Sequence, residues 1–178
     1  MTKHPYIQII EKYYDACNQR DAVLMKSTFT DDVKVVGQTY AYFVRSPHAH
    51  ATINSIGTSV ASSSDGVIAV FTGDDLAADG IGPLICGVNV TGDDGEPHKA
   101  PAHPALAQGK VNYVGDHVAV VIAETLDQAK DAAEKVEVDY GILAAVTDTA
   151  SASDDAQQQI HTEAPNNICY NWPFGEKE

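Results

Sequence analysis

Two histidines one residue apart, His48 and His50, are the first candidates for chemistry in this 178-residue chain. On a strand, residues i and i+2 share a face about 7 Å apart, a spacing that can hold zinc or copper. Further ligands would have to come from His98, His103 or His117, and no known zinc spacing links these to the pair. The sequence therefore favours structural histidines that hydrogen-bond neighbouring backbone after the turn at Pro47.

The acid pairs Asp31-Asp32, Asp74-Asp75 and Asp93-Asp94 have the residue types of a cation site or a glycosidase. Adjacent residues on a strand point to opposite faces, and acids beside glycine are ordinary turn chemistry. Gly80-Ile-Gly82 lacks the third glycine of a dinucleotide loop, and Pro83 stands where a helix should open. Arg45, the only arginine after residue 20, sits next to Ser46-Pro47 and suits an anchor for a carboxylate or for backbone carbonyls. Cys17, Cys86 and Cys169 are odd in number and far apart, which fits neither a disulfide framework nor a CxxC metal site. They read as buried free thiols. No residue earns a catalytic, cofactor-binding or metal-binding role from spacing alone.

The elements that must position these residues are legible from periodicity. Tyr6, Ile9, Ile10, Tyr13 and Cys17 follow an i, i+3, i+4 stripe, so the chain opens with a helix, and Asp21 caps a short second one. From Val33 the pattern turns to strands. Residues 39–45 and 50–56 are strand-like, 58–64 make at best a weak helix, and 66–71 form a short apolar strand. Asp74 or Asp75 is the expected cap of a helical turn through Ala78. Residues 80–104, rich in glycine and proline, read as a long loop, and long loops are usually functional or in contact with a partner. A short strand at 111–113 precedes the most apolar strand, 117–123. Thr125 and Gln128 form a capping box opening a helix with Leu126, Ala129, Ala133 and Val136 on one face. A strand at 136–140 completes a βαβ unit. Residues 151–159 read as a loop or short helix, and 167–172 as a final strand.

Composition sets the class. A 44% hydrophobic and 20% charged chain is globular, and this length builds a core without disulfide or metal staples. The net charge of −14, with no basic stripe, argues against nucleic acid. No window approaches the ~20 apolar residues of a membrane span, and the N-terminus does not read as a signal peptide, so a cytoplasmic protein is expected. Acids and bases balance over residues 1–36, so the whole negative charge lies in 37–178. That step points to two segments of different origin.

The run Gly37-Gln-Thr-Tyr-Ala-Tyr-Phe-Val-Arg-Ser-Pro-His-Ala-His-Ala51 resembles the first strand pair of the molybdenum-bearing large subunit of the xanthine dehydrogenase, aldehyde oxidase and aerobic carbon monoxide dehydrogenase family. GVIAVFTGDDL at 66–76, HPALAQGKVNYVGDHVAVVIAET at 103–125, QAKDAAEKVEVDY at 128–140 and HTEAPNNICYNW at 161–172 keep that family's order. The resemblance implies an α/β hammerhead domain over 33–178, an α/β (α+β) fold with a mixed sheet and flanking helices. A helical segment, 1–32, precedes it. Residues 1–32 are similar to the opening helices of NTF2-like (SnoaL-like) proteins, and a fusion near Phe29–Val33 would explain the charge step.

The same resemblance implies an architectural role. The family's molybdopterin contacts and catalytic residues lie in domains that follow the hammerhead, and its iron–sulfur clusters and flavin lie on other domains or subunits. No cofactor, metal or catalytic residue is therefore expected among these residues. The implied partners are the molybdenum domains and the iron–sulfur and flavin subunits, with self-association of this chain through its exposed faces. The alternatives are an NTF2-like small ligand-binding protein and a free-standing interaction module. The hammerhead-like order of 37–140 leaves no room for the long curved sheet that the former needs.

Overall fold

A computed structural model describes residues 36–172 and Gly175. The chain divides into two units, Met1–Gln38 and Thr39–Glu178, and the secondary structure described here belongs to the second. The stripe from Tyr6 to Cys17, the Asp21 cap and Asp31-Asp32 lie outside the described residues.

Six strands appear in chain order. They are β1 (Tyr40–Arg45), β2 (Ala51–Gly57), β3 (Val67–Thr72), β4 (Lys110–Val111), β5 (His117–Ala123) and β6 (Glu137–Ile142). Helix α1 (Ser59–Ser62) lies between β2 and β3, α2 (Gly73–Ala78) follows β3, and α3 (Leu126–Ala133) joins β5 to β6. The strands form two three-stranded sheets, β1-β5-β3 and β4-β2-β6, and every pairing is antiparallel. This is the α/β class the sequence implied, but with two antiparallel sheets in place of one mixed sheet. The strand–helix–strand unit is present, yet β5 and β6 do not pair. Each joins a different sheet, so the unit is the link between the two.

β5 has the composition of a central strand, and it is one. Val120 stands opposite Phe43 of β1 and Phe71 of β3, and Val121 opposite Tyr42 and Val70. Ala119, Val121 and Ala123 are fully buried. They face α3, whose Ala132 and Ala133 form a cluster with Val121, walled by Val44, Val67, Val70 and Val136. Alanines on that helix let its axis approach the sheet closely. Val118 points the other way, into a second cluster with Ala51, Ala107 and Val111, against which Ile53, Ile56, Val138 and Tyr140 pack. Val120 and Ile122 on that same face are only half-buried, where the apolar run led one to expect cover on both sides.

Several boundaries differ from the sequence reading for physical reasons. Helix α2 is capped by Thr72, not by an aspartate. The carboxylate of Asp75 accepts both the Thr72 backbone N–H and its hydroxyl, each at 2.7 Å. At α3, Thr125 Oγ1 accepts the Gln128 N–H at 3.2 Å, but the Gln128 side chain takes the Thr125 hydroxyl at 2.8 Å. Leu126, the first residue of the helix, is 40% exposed, and Ala132 takes the buried place beside Ala129 and Ala133. Residues 167–172 form no strand. Asn166 and Asn167 both hold positive φ, 54° and 57°, a turn conformation that ends extended chain. Asn167 then pins this segment. Its Nδ2 donates to the Ala152 and Gln158 carbonyls and its Oδ1 accepts the Ile160 N–H.

Candidate functional site

The connection from β1 to β2 carries Arg45, Ser46, Pro47, His48, Ala49 and His50, and it ties the two sheets together. The Ser46 N–H donates to the Asp116 carbonyl and the Gly115 N–H donates to the Ser46 carbonyl, both at 2.8 Å. Arg45 Nη1 reaches the Gly115 carbonyl at 3.4 Å, so it anchors backbone, one of its two expected uses. Ser46 Oγ accepts the His48 N–H and donates to the His48 carbonyl, closing the turn at Pro47. His50 is 2% exposed, and its Nδ1–H donates to the Ala144 carbonyl at 2.8 Å. Its proton therefore sits on Nδ1, and Nε2 is buried with no partner. His48 lies before the strand, edge-on to Tyr140 with ring centroids 4.9 Å apart. The two imidazoles are held by different neighbours and share no strand face.

Beside this junction opens a cleft of about 570 Å³, between the 102–116 stretch and residues 160–163. His103 and Tyr113 lie nearly parallel across 6.2 Å between centroids. Lys110, Asp116 and Glu163 are among the residues that line the cleft. Burial raises the Tyr113 phenol above its ordinary value, Asp116 adds to this, and Arg45 opposes it. Asp116 is 8% exposed, and its Oδ2 accepts the Asn112 N–H at 3.1 Å. Burial also raises Tyr140, with a Ser46 hydrogen bond working against it. At the exposed Glu163 a backbone hydrogen bond, then the Thr162 hydroxyl, lowers the carboxyl.

Most of these polar groups are spent on backbone. Among the described residues no three His, Cys, Asp or Glu side chains come together as a metal site. His98, His103 and His117 do not join the His48–His50 pair. His117 instead stacks on Phe43 at 4.5 Å. Asp93 and Asp94 lie in a loop turn, where Asp94 Oδ1 accepts the Glu96 N–H. Cys86 and Cys169 are exposed free thiols, not buried ones, because both lie in irregular segments outside the two cores. The cleft itself escaped the sequence reading. Its walls come from stretches some fifty residues apart, and although the runs at 103–125 and 161–172 both stand out as motifs, nothing in them shows that they meet.

Two three-stranded antiparallel sheets are linked by the strand–helix–strand unit and by the Arg45–His50 connection. The kind of domain is settled by comparison. The family model described as "aldehyde oxidase and xanthine dehydrogenase, a/b hammerhead domain" matches residues 25–144, and the chain belongs to that family. The match takes in residues 25–32 as well as the strands. The carbon monoxide dehydrogenase large chain of Afipia carboxidovorans is 34% identical over 165 residues, covering 86% of this chain and 19% of that one. The nicotine 6-hydroxylase large subunit of Paenarthrobacter nicotinovorans is 34% identical over 143 residues, covering 80% and 17%. The solved Cu,Mo-CO dehydrogenase superposes with a TM-score of 0.60 at 35% identity, covering 73% of this chain and 15% of that one. The chain thus spans about a fifth of the length of the curated relatives it matches, within the region of the hammerhead. No helix among the described residues is long and apolar enough to cross a membrane.

Proposed function

We propose that this chain serves as the hammerhead domain of a molybdenum hydroxylase large subunit, with an architectural role and no turnover of its own. The observation that carries the reading is the Arg45–His50 junction. The exposed Arg45 guanidinium, the Ser46 backbone and the buried His50 ring bond to backbone at Gly115, Asp116 and Ala144, which is the work of a scaffold. The described residues do not fit a molybdopterin. The cleft offers the single cation Lys110 against the carboxylates Asp116 and Glu163, a poor match for a phosphate-bearing anion, and no ligand cluster stands by.

The chemistry of the whole subunit is then that of its other domains, with iron–sulfur and flavin subunits as electron-transfer partners. Surface character supports docking. Phe43 is 39% exposed on the half-covered face of β1-β5-β3, and Leu84 and Ile85 are 60% and 95% exposed on the long loop. Such apolar area suits a domain that packs against others. The likeness of the first residues to the opening of NTF2-like proteins marks them as a stretch of different origin, joined to a hammerhead whose family match reaches back to residue 25. The apolar stripe of that segment leads the chain on its own to self-associate as a symmetric dimer. The two exposed free thiols suit a reducing, cytoplasmic setting.

Elemental analysis, flavin fluorescence and a dye-reduction assay on the purified chain test the proposal. The expected result is no molybdenum, iron or flavin, and no oxidation of aldehydes, purines or carbon monoxide. Stoichiometric molybdenum with turnover would overturn it.

A further inference from the structure

Among the described residues two buried side-chain polar atoms have no hydrogen-bond partner in the protein, His50 Nε2 and Asn112 Oδ1. The sheet register brings their residues together. β2 and β4 pair Ala51 with Val111 and Thr52 with Lys110, and the Ile53 N–H donates to the Gly109 carbonyl in the same frame. One step further along, that frame sets His50 opposite Asn112. Residues directly opposite on antiparallel strands share a face, with Cβ atoms about 4.5–5.5 Å apart. Ala51 and Val111 turn into a core. His50 and Asn112 therefore lie on the other face, where Thr52, Lys110 and Asn112 line the cleft.

Both orphaned atoms are acceptors. The Nδ1–H of His50 is committed to the Ala144 carbonyl, which leaves Nε2 a bare lone pair in the neutral ring. A carboxamide oxygen only accepts. Two acceptors cannot bond to each other, and leaving either one unmade in a closed interior carries a desolvation penalty. A small molecule with two donors satisfies both at once. Water supplies two O–H groups, and a buried water typically makes roughly two to four hydrogen bonds to groups of this kind. The surroundings are polar as well: Asp116, 8% exposed, accepts the Asn112 backbone N–H through Oδ2.

We propose that one ordered water is bound behind the wall of the cleft, donating one hydrogen to His50 Nε2 and the other to Asn112 Oδ1. The site joins three stretches of chain at one point. β2 enters through His50 and the end of β4 through Asn112. The exit from β6 enters through the Ala144 carbonyl and through the Leu143 N–H, which donates to the His50 carbonyl at 3.0 Å.

The test is solution NMR on the full, isotope-labelled chain. His50 should show the Nδ1-protonated tautomer. The His50 ring and the Asn112 side chain should both show cross-peaks to water with the sign of a long-lived bound molecule. In Asn112→Leu the His50 cross-peak should disappear. Asn112→Leu and His50→Phe should each raise the unfolding constant roughly tenfold, and the double variant by clearly less than the product of the two. No long-lived water at either residue in the parent chain would overturn the proposal. So would a scalar coupling between His50 Nε2 and the Asn112 side-chain nitrogen, the mark of an amide that donates directly to the ring. A water cross-peak at His50 that survives Asn112→Leu, or a double variant equal to the product, would also overturn it.

Discussion

Val118 and Val121 stand three residues apart on β5 and belong to different cores. Val118 packs with Ala51, Ala107 and Val111, and Val121 with Ala132 and Ala133. One strand thus holds both halves of the domain, because successive side chains leave a strand on opposite faces.

Val118→Asp and Val121→Asp should each bury an unpaired charge and cost several kcal/mol, enough to unfold a domain of ordinary stability. Val120→Asp and Ile122→Asp should cost less, since both residues are half-buried and their new carboxylates can reach water. Urea denaturation of the four variants checks the ranking. Equal losses would place Val120 and Ile122 in a closed core.

Gly73 is buried at the first position of α2, and a Cβ there would run into the Ala107 backbone carbonyl. Backbone cannot rotate away as a side chain can. Gly73→Ala should therefore destabilise by about 1–3 kcal/mol through overpacking, read as a lower melting temperature. The same change at Gly82, which has open space around it, should be close to neutral.

The two helix starts divide the capping work differently, and pH separates them. The Thr72 hydroxyl, then its N–H, lowers the Asp75 carboxyl below its ordinary value. A lowered carboxyl contributes stability that is fully present above about pH 4 and fades as the pH falls through the shifted value. Asp75→Asn should flatten the acid limb of a stability–pH curve. Thr125→Ala, at a cap with no ionised group, should cost about 1 kcal/mol at acid and neutral pH alike.

At the alkaline end Tyr140 is the reporter. Its phenol is raised mainly by burial, so the fold favours the protonated form. That stability is full below about pH 10 and is lost as the pH climbs through the raised value. Tyr140→Phe should remove part of the alkaline loss, seen in melting curves between neutral and strongly alkaline pH. A variant as alkali-sensitive as the parent would show that the phenol is not the group responsible.

The hammerhead was legible in the sequence where one interaction dominates. The seven residues His117–Ala123 are apolar enough to allow only a central strand, and the predicted span agrees with the observed one. The RSPHAHA run gave the family, and the structural reading of His50 anticipated its bond to backbone, though not that Ala144 supplies the carbonyl. The errors lie where a residue's role depends on distant chain. The residue type alone points Cys86 and Cys169 to the core, although Cys86 lies inside the glycine- and proline-rich 80–104 loop and both are exposed. The end of the chain looked like a strand because Ile168, Tyr170 and Trp172 alternate, yet Asn166 and Asn167 turn the backbone left-handed just before it. The sheet partners of β5 and β6 depend on which strands lie beside them, and local periodicity carries no record of that.

If residues 37–172 are the scaffold proposed here, they should be exchangeable for the hammerhead of a relative's large subunit. The most direct measurement grafts them in place of the hammerhead of the Afipia large chain and reads the molybdenum content and subunit assembly of the product. Hydrogen exchange at 117–123 reports in parallel whether the graft is folded. The account predicts a folded graft in a large chain that assembles with its partner subunits and retains molybdenum. A graft that protects 117–123 as the free chain does, in a large chain that neither assembles nor holds molybdenum, would contradict it.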